Sequence, residues 1–131
     1  MPPINWFAAI VAGILGFFPG AIWYSKAMFL RAWKADVGAE GASEKVPEGI
    51  RIGIGLLLSL VAAIAFALIL GPQPPLQLSI LFGLGAGIAF VTTSFGIQYL
   101  FEGRTIRLTL INGGYHTVQF LIFGLILGLW H

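Results

Sequence analysis

Four long apolar runs, with every basic residue on one side of them, limit this chain to very few folds. Five basic residues lie between the first and second runs and two lie between the third and fourth: Lys26, Arg31, Lys34, Lys45 and Arg51, then Arg104 and Arg107. Loops of membrane proteins that stay in the cytoplasm retain Lys and Arg. The pattern therefore predicts a multi-pass membrane protein with both termini outside and the basic loops 25–51 and 102–107 in the cytoplasm.

The composition leads to the same surroundings. Hydrophobic residues make up 58% of the 131 residues and charged residues only 9%, whereas soluble proteins average about 25% charged residues. A soluble core of this size could not cover so much apolar surface, so the lipid bilayer is the expected partner. The basic loops account for the net charge of +2, which argues against nucleic acid as a partner. The chain has no cysteine, which excludes disulfides and thiolate catalysis.

The apolar runs predict an all-α polytopic membrane protein, a single domain over residues 1–131 with four transmembrane helices in an antiparallel bundle. Each run has at least the ~20 residues that cross the hydrocarbon core. Each must be helical, because lipid does not tolerate unpaired backbone groups. The first run lacks a basic n-region and a cleavage site, so we expect a retained helix and not a signal peptide. The expected spans are 4–24, 50–70, 76–101 and 106–130.

The three connections differ in length. The second, at 71–75, and the third, around 102–104, are short, which predicts that the second, third and fourth helices are antiparallel neighbours. The first predicts an amphipathic helix at 25–37 on the cytoplasmic surface, followed by a mobile loop at 38–48. Pro19 lies inside the first span and predicts a kink, because proline removes one helical hydrogen bond.

Aromatic and small residues give the expected surfaces of the bundle. Trp and Tyr concentrate at membrane interfaces, and the predicted anchors are Trp6 and Trp130 on one side with Trp23, Tyr24 and Tyr99 on the basic side. Small residues recur every four positions, which predicts close helix packing. Either all of these ridges are used within one chain, or one faces outward and supports a homo-oligomer. The ridges are Ala8, Ala12, Gly16 and Gly20; Gly55, Ser59, Ala63, Ala67 and Gly71; Ser79, Gly83 and Gly87, with Gly85 and Ala89 on an adjacent row; and Gly124 and Gly128.

The fourth run carries the candidate binding site. Asn112 and His116 are four residues apart and share a helix face, with Gln119 near the same stripe and Tyr115 beside it. The third run adds polar groups at Thr92, Thr93 and Gln98. An ionisable residue inside a membrane is a functional hypothesis by default, since its burial is costly. The alternative is that neutral His, Asn and Gln only hydrogen-bond helices together.

Catalytic residues, cofactors and metals are not predicted. None of the five acidic residues lies inside an expected span, so a carboxylate proton relay or a Ser-His-Asp triad would lack its acid. One histidine in mid-membrane is too few to hold a metal. We therefore expect a protein that is not an enzyme. A lipid-modifying activity that uses His116 alone is the open alternative.

Several short motifs together resemble a known family. They are the Asn-Trp of residues 5–6, the Trp-Tyr-Ser of 23–25, the Phe-Glu-Gly-Arg-Thr of 101–105, the Ile-Asn-Gly-Gly-Tyr-His of 111–116 and the Gly-Leu-Trp of 128–130. The chain is similar to the small bacterial integral-membrane family catalogued as domain of unknown function 1761. This resemblance implies the four-helix fold and the bacterial inner (plasma) membrane, and it implies no activity.

Two functions follow as hypotheses. The first is a non-enzymatic bundle, on its own or as a homo-oligomer, with a buried polar site at Asn112, His116 and Gln119 for a small solute or a proton. The second is an accessory or assembly subunit of a larger membrane complex. In that case the polar stripe acts only between helices.

Overall fold

The computed structural model describes residues 4–41 and 46–130, without the side chains of residues 39–41. All regular structure within these residues is helical. Four helical stretches are long and apolar enough to cross a bilayer: the first span Trp6–Trp23, the second span Glu48–Leu70, the third span Leu76–Glu102 and the fourth span Ile106–Leu129. The predicted all-α fold with four membrane-spanning helices is confirmed.

Polar caps and glycines set the ends of the spans. The Asn5 side chain accepts a hydrogen bond from the amide of Ala8, and Thr105 accepts one from the amide of Leu108, each at 3.1 Å. These caps satisfy amides that the first helical turn leaves free. The second and third spans end at Gly71 and Gly103, whose φ angles of 79° and 73° fall in the region that glycine adopts without steric cost.

The first span is divided into α1 (Trp6–Phe17) and α2 (Pro19–Trp23). Pro19 has no amide hydrogen, and the amide of Ala21 bonds to the carbonyl of Phe18 at 2.9 Å, which is an i−3 contact. The carbonyl of Phe17 therefore loses its usual helical partner at Ala21. This break lies at the kink that the sequence predicts.

The third span contains a wider turn in its middle. It consists of α-helical residues Leu76–Gly85, a π-helical segment Ala86–Thr92 and α-helical residues Thr93–Glu102. Thr92 Oγ1 donates to the carbonyl of Gly87 at 2.7 Å, across the five residues of the wide turn. Such segments are rare and often lie near functional sites.

The fourth span is the centre of the bundle. The first and third spans pack along it, and the second span packs mainly on the first. The prediction that the second and third spans are neighbours is wrong, because these two do not pack along each other. A cleft of about 570 Å³ separates them, with Phe66 of the second span on one side and Phe90 of the third on the other.

Glycine contacts explain this arrangement. A Cβ on Gly83 would lie 2.5 Å from the carbonyl oxygen of Phe120, and a Cβ on Gly87 would overlap the backbone of Thr117. The third span therefore meets the fourth backbone to backbone, which is the main source of helix attraction in lipid. By contrast, a Cβ on Gly85 would meet no described atom beyond its own helix backbone within 4 Å. The small residues on that side of the third span do not form a close contact with the second span.

A short helix, α3 (Leu30–Gly41), packs on the fourth span at the basic end of the bundle. Gly38 has a non-helical φ of 72° and kinks it. The sequence predicts a helix at 25–37, but residues 25–29 form turns in which the amide of Met28 bonds to the carbonyl of Ser25 at 3.0 Å. Residues 38–41 of the loop expected at 38–48 belong to α3, and residues 42–45 lie outside the described part of the chain.

Candidate functional site

A chain of hydrogen bonds crosses the bundle from His116 to the first span. His116 Nδ1 lies 2.6 Å from Gln119 Oε1, and Gln119 Nε2 donates to Ser59 Oγ at 2.9 Å. Ser59 Oγ in turn donates to the carbonyl of Gly13 at 2.7 Å. The chain thus links the fourth, second and first spans. Gln119 and Ser59 are buried, with 5% and 3% of their surfaces exposed.

This chain fixes the proton position on the imidazole. The Gly13 carbonyl can only accept, so the Ser59 hydroxyl donates to it and must accept from Gln119. The Gln119 amide therefore presents its oxygen to His116, and that oxygen also can only accept. Nδ1 must carry a proton, which leaves Nε2 as the nitrogen that gains or loses one.

The second nitrogen, His116 Nε2, has no hydrogen-bond partner among the residues that the structure describes. Among the described residues, Ser79 Oγ is the one buried side-chain polar atom without a hydrogen-bond partner. Since Nε2 also has no partner, it is not a buried atom. The ring is stacked on Phe95, with centroids 5.5 Å apart, and lies 4.8 Å from the ring of Tyr115. His116 therefore keeps one free, accessible nitrogen between aromatic rings.

A second network lies closer to the basic end. Tyr24 Oη donates to Asn112 Oδ1 at 2.7 Å, and Asn112 Nδ2 donates to Tyr99 Oη at 2.8 Å. One amide thus joins the first, third and fourth spans. Asn112 makes no hydrogen bond with His116, so the expected single cluster is divided into two networks.

The remaining predicted polar residues lie outside both networks, and the first of them is Tyr115. Its hydroxyl donates at 2.9 Å to the Phe17 carbonyl that the break in the first span leaves free. Thr92 and Thr93 donate to carbonyls of their own helix. Gln98 donates to Glu102 at 2.6 Å near the end of the third span. The geometry therefore groups only His116 with Gln119, and only Asn112 with the two tyrosines.

The predicted interface anchors fall into two groups. Trp6 and Trp130 are 51% and 45% exposed. On the basic side, Trp23 Nε1 donates to the carbonyl of Ile111 at 2.8 Å, while Tyr24 and Tyr99 share Asn112. These three side chains direct their polar atoms into the bundle and connect spans to each other.

Two residues of the His116 environment were not predicted. Ser59 appears in the sequence only as a member of a small-residue ridge, and Phe95 only as one of many apolar residues. Ser59 is the one residue with a hydroxyl group in the small-residue ridge of the second span, and this was the available signal for it. No sequence pattern singles out Phe95.

One ion pair and one hydrogen bond to a carbonyl hold α3 at the basic end of the bundle. Arg107 donates to both carboxylate oxygens of Asp36, from Nε at 2.7 Å and from Nη2 at 2.8 Å. Arg104 donates to the carbonyl of Val37 at 3.2 Å and pairs with Glu102 at 3.0 Å. The Asp36 side chain is only 6% exposed. The hydrogen bonds from Arg107 hold the pKa of Asp36 below its ordinary value of 3.8.

We expect the Asp36 pair to make the docking of α3 dependent on pH. A lowered pKa stabilises the docked state above the ordinary pKa, and this stabilisation is lost as the pH falls from about 4 through the lower value of the docked state. Asp36→Asn is expected to accelerate amide hydrogen exchange in α3 a few-fold at neutral pH and to remove its acid sensitivity. Arg31→Gln, at an exposed residue of the same helix, is the control. Equal exchange in the wild type and Asp36→Asn would contradict the expectation.

The site contains hydrogen-bonding groups, aromatic rings and one imidazole. No group of three or more His, Cys, Asp or Glu side chains placed to hold a metal occurs in the described ranges 4–41 and 46–130. The arrangement can accept a proton or a hydrogen bond at His116 Nε2. Its other polar atoms are already paired.

Comparison with known proteins places the chain by sequence. The model of a family described as "Protein of unknown function (DUF1761)" matches residues 7–128. The resemblance found in the sequence motifs is thereby confirmed over nearly the whole chain. No curated protein and no solved structure matches.

Proposed function

Because the chain belongs to the DUF1761 family, which is described as of unknown function, we propose a role from the site itself: a non-enzymatic membrane bundle that binds a proton or a small protic solute at His116. The binding atom is Nε2. Gln119 and Ser59 position the ring, and Phe95 and Tyr115 flank it.

The free Nε2 nitrogen is the observation that supports this proposal most strongly. Helix-joining polar groups are expected to satisfy each other, as Asn112 does with two tyrosines. His116 instead uses one nitrogen for the bundle and leaves the other accessible. It lies ten residues into the fourth span, about 15 Å along the helix from Ile106 and close to mid-membrane. An unpaired ionisable group is costly at that depth, and such groups are therefore candidates for functional sites.

The chemistry of the surroundings selects the ligand. With Nδ1 protonated, neutral Nε2 is a hydrogen-bond acceptor, so it takes a proton or a neutral donor such as a hydroxyl or an amine. Among the described residues, the two carboxylates that belong to the spans, Glu48 and Glu102, are their terminal residues at the basic end, away from His116, so none is placed to attract a metal there or to relay protons further. A small protic molecule that reaches mid-membrane through lipid fits these properties.

Replacing His116 by phenylalanine tests the proposal. Phenylalanine keeps a ring between Phe95 and Tyr115 but removes both nitrogens. Proton uptake into proteoliposomes is expected to fall at least tenfold, to the level of empty liposomes. Ser94→Ala is the control, because Ser94 bonds only to a carbonyl of its own helix. Its uptake should equal that of the wild type.

Imidazole nitrogen NMR separates binding from transport in the same samples. The wild-type spectrum is expected to show a protonated Nδ1 and an unprotonated Nε2 that responds to added small alcohols. Uptake equal to empty liposomes in the wild type, together with an unresponsive Nε2, would overturn the proposal.

A second candidate function is an accessory or assembly subunit of a larger membrane complex. The cleft between the second and third spans supports it. These two spans follow each other in the sequence but do not pack along each other, so the apolar side chains that line the cleft are left without a helix packed on them. This candidate is the one that stands if His116→Phe behaves as the wild type does. In either case we propose the bacterial inner membrane, with the basic end in the cytoplasm.

A further inference from the structure

A second cavity, of about 410 Å³, opens at the basic end between the first and second spans. It is separate from His116, Gln119 and Ser59, none of which lines it. A Cβ on Gly55 would lie 2.8 Å from the ring of Phe17, so this ring packs directly on the second span. The larger side chains that line the cavity are Phe17, Phe18, Tyr24, Glu48, Ile52 and Tyr115.

Four aromatic rings line this cavity in two edge-to-face pairs. The rings of Tyr24 and Tyr115 are 5.7 Å apart, and those of Phe17 and Phe18 are 6.0 Å apart. Both tyrosine hydroxyls are already used, by Asn112 and by the carbonyl of Phe17. A ligand therefore meets ring surfaces here and not free hydroxyl groups.

Among the residues that the structure describes, Glu48 is the one acidic or basic side chain that lines the cavity. It is exposed, and it forms no ion pair with any residue in the described part of the chain. Arg51, one turn further along the second span, does not line the cavity. A free carboxylate beside several aromatic rings attracts a cation that carries apolar groups, because the ring faces are negative and the apolar groups replace lipid.

We propose that this cavity binds an organic ammonium group attached to an apolar body. Glu48 is its counter-ion, the tyrosine rings contact the ammonium group, and Phe17, Phe18 and Ile52 contact the apolar part. The same chemistry is offered by the amine headgroup of phosphatidylethanolamine and by a free amphiphilic amine. The site shares the Tyr115 ring with the surroundings of His116. Its charged group is Glu48 and its lining does not include His116, so either proposal can fail without the other.

Calorimetric titration of the full chain with octyltrimethylammonium, in uncharged maltoside micelles, tests the site. Glu48→Gln is expected to weaken binding about tenfold, through loss of the counter-ion. Phe18→Leu, which keeps apolar volume without a ring, should weaken it about threefold. Glu102→Gln is the matched control, because Glu102 is also interfacial but pairs with Gln98 and Arg104. Circular dichroism of each variant verifies that its helices are intact.

Lipid retention distinguishes the two sources of the ligand. Native mass spectrometry from nanodiscs of mixed phosphatidylethanolamine and phosphatidylglycerol should show phosphatidylethanolamine retained by the wild type and lost in Glu48→Gln if the ligand is a lipid. Binding of the soluble ammonium probe without this retention would identify a free amine. Equal affinity of the wild type and Glu48→Gln for the probe, with no lipid preference, would overturn the proposal.

Discussion

Gly87→Ala is expected to lower the free energy of unfolding by about 1–3 kcal/mol, the usual cost of overpacking a close contact. A Cβ at this position would overlap the Cα of Thr117, which belongs to the backbone of the fourth span and cannot rotate away. The two helices would have to separate along the contact that holds the third span in the bundle. Reversible unfolding in mixed detergent micelles measures the change.

Gly85→Ala is the matched control for this prediction. Gly85 lies two residues away on the same span, and a Cβ there would meet no described atom beyond its own helix backbone within 4 Å. Because alanine favours a helix over glycine, this variant is expected to be neutral or more stable by about 0.5–1 kcal/mol. Equal destabilisation of both variants would show that the cost comes from the π-helical region in general and not from the contact with Thr117.

The spans were predictable because a bilayer imposes a simple requirement. A helix must supply about 20 apolar residues to cross it, and this shows directly in hydropathy. The close contacts of Gly83 and Gly87 also follow a pattern visible in the sequence, since small residues spaced by four form one ridge. The neighbour that each ridge faces could not be predicted. The sequence gives no sign that the Gly85 side faces a cleft while the Gly87 side faces the fourth span.

The neighbours of each span could not be derived from the connections alone. A five-residue turn joins the second and third spans, yet they diverge, because each packs on a different partner. The turn permits this through Gly71 and Gln73, both with positive φ angles. A short loop keeps two helix ends close together, but it does not determine which helices pack against each other along their length.

The division of the polar site has a geometric cause. Residues four apart on a helix differ by about 40° in direction, so Asn112 and His116 share a face without pointing at the same neighbour. Since the fourth span is central, that small rotation is enough to give them different partners. Asn112 reaches Tyr24 and Tyr99, while His116 reaches Gln119 and, through it, Ser59. Helix periodicity predicts the face, and only the packed bundle determines the partner.

Asn112→Leu is expected to lower the free energy of unfolding by about 1–3 kcal/mol, because two hydrogen bonds inside the bundle are lost together. Leucine has a similar size, so packing changes little, while the hydroxyls of Tyr24 and Tyr99 lose their shared partner. Unfolding in mixed micelles measures this change as well.

A double-mutant cycle with Tyr24→Phe shows whether the loss comes from the network. Phenylalanine keeps the ring that packs on Trp33 and Tyr115 and removes only the hydroxyl. Asn112→Leu should therefore cost less in the Tyr24→Phe background than in the wild type, with a coupling of about 0.5–1.5 kcal/mol. Strictly additive costs would mean that Asn112 and Tyr24 stabilise the bundle independently, and that the amide does not join the first span to the fourth.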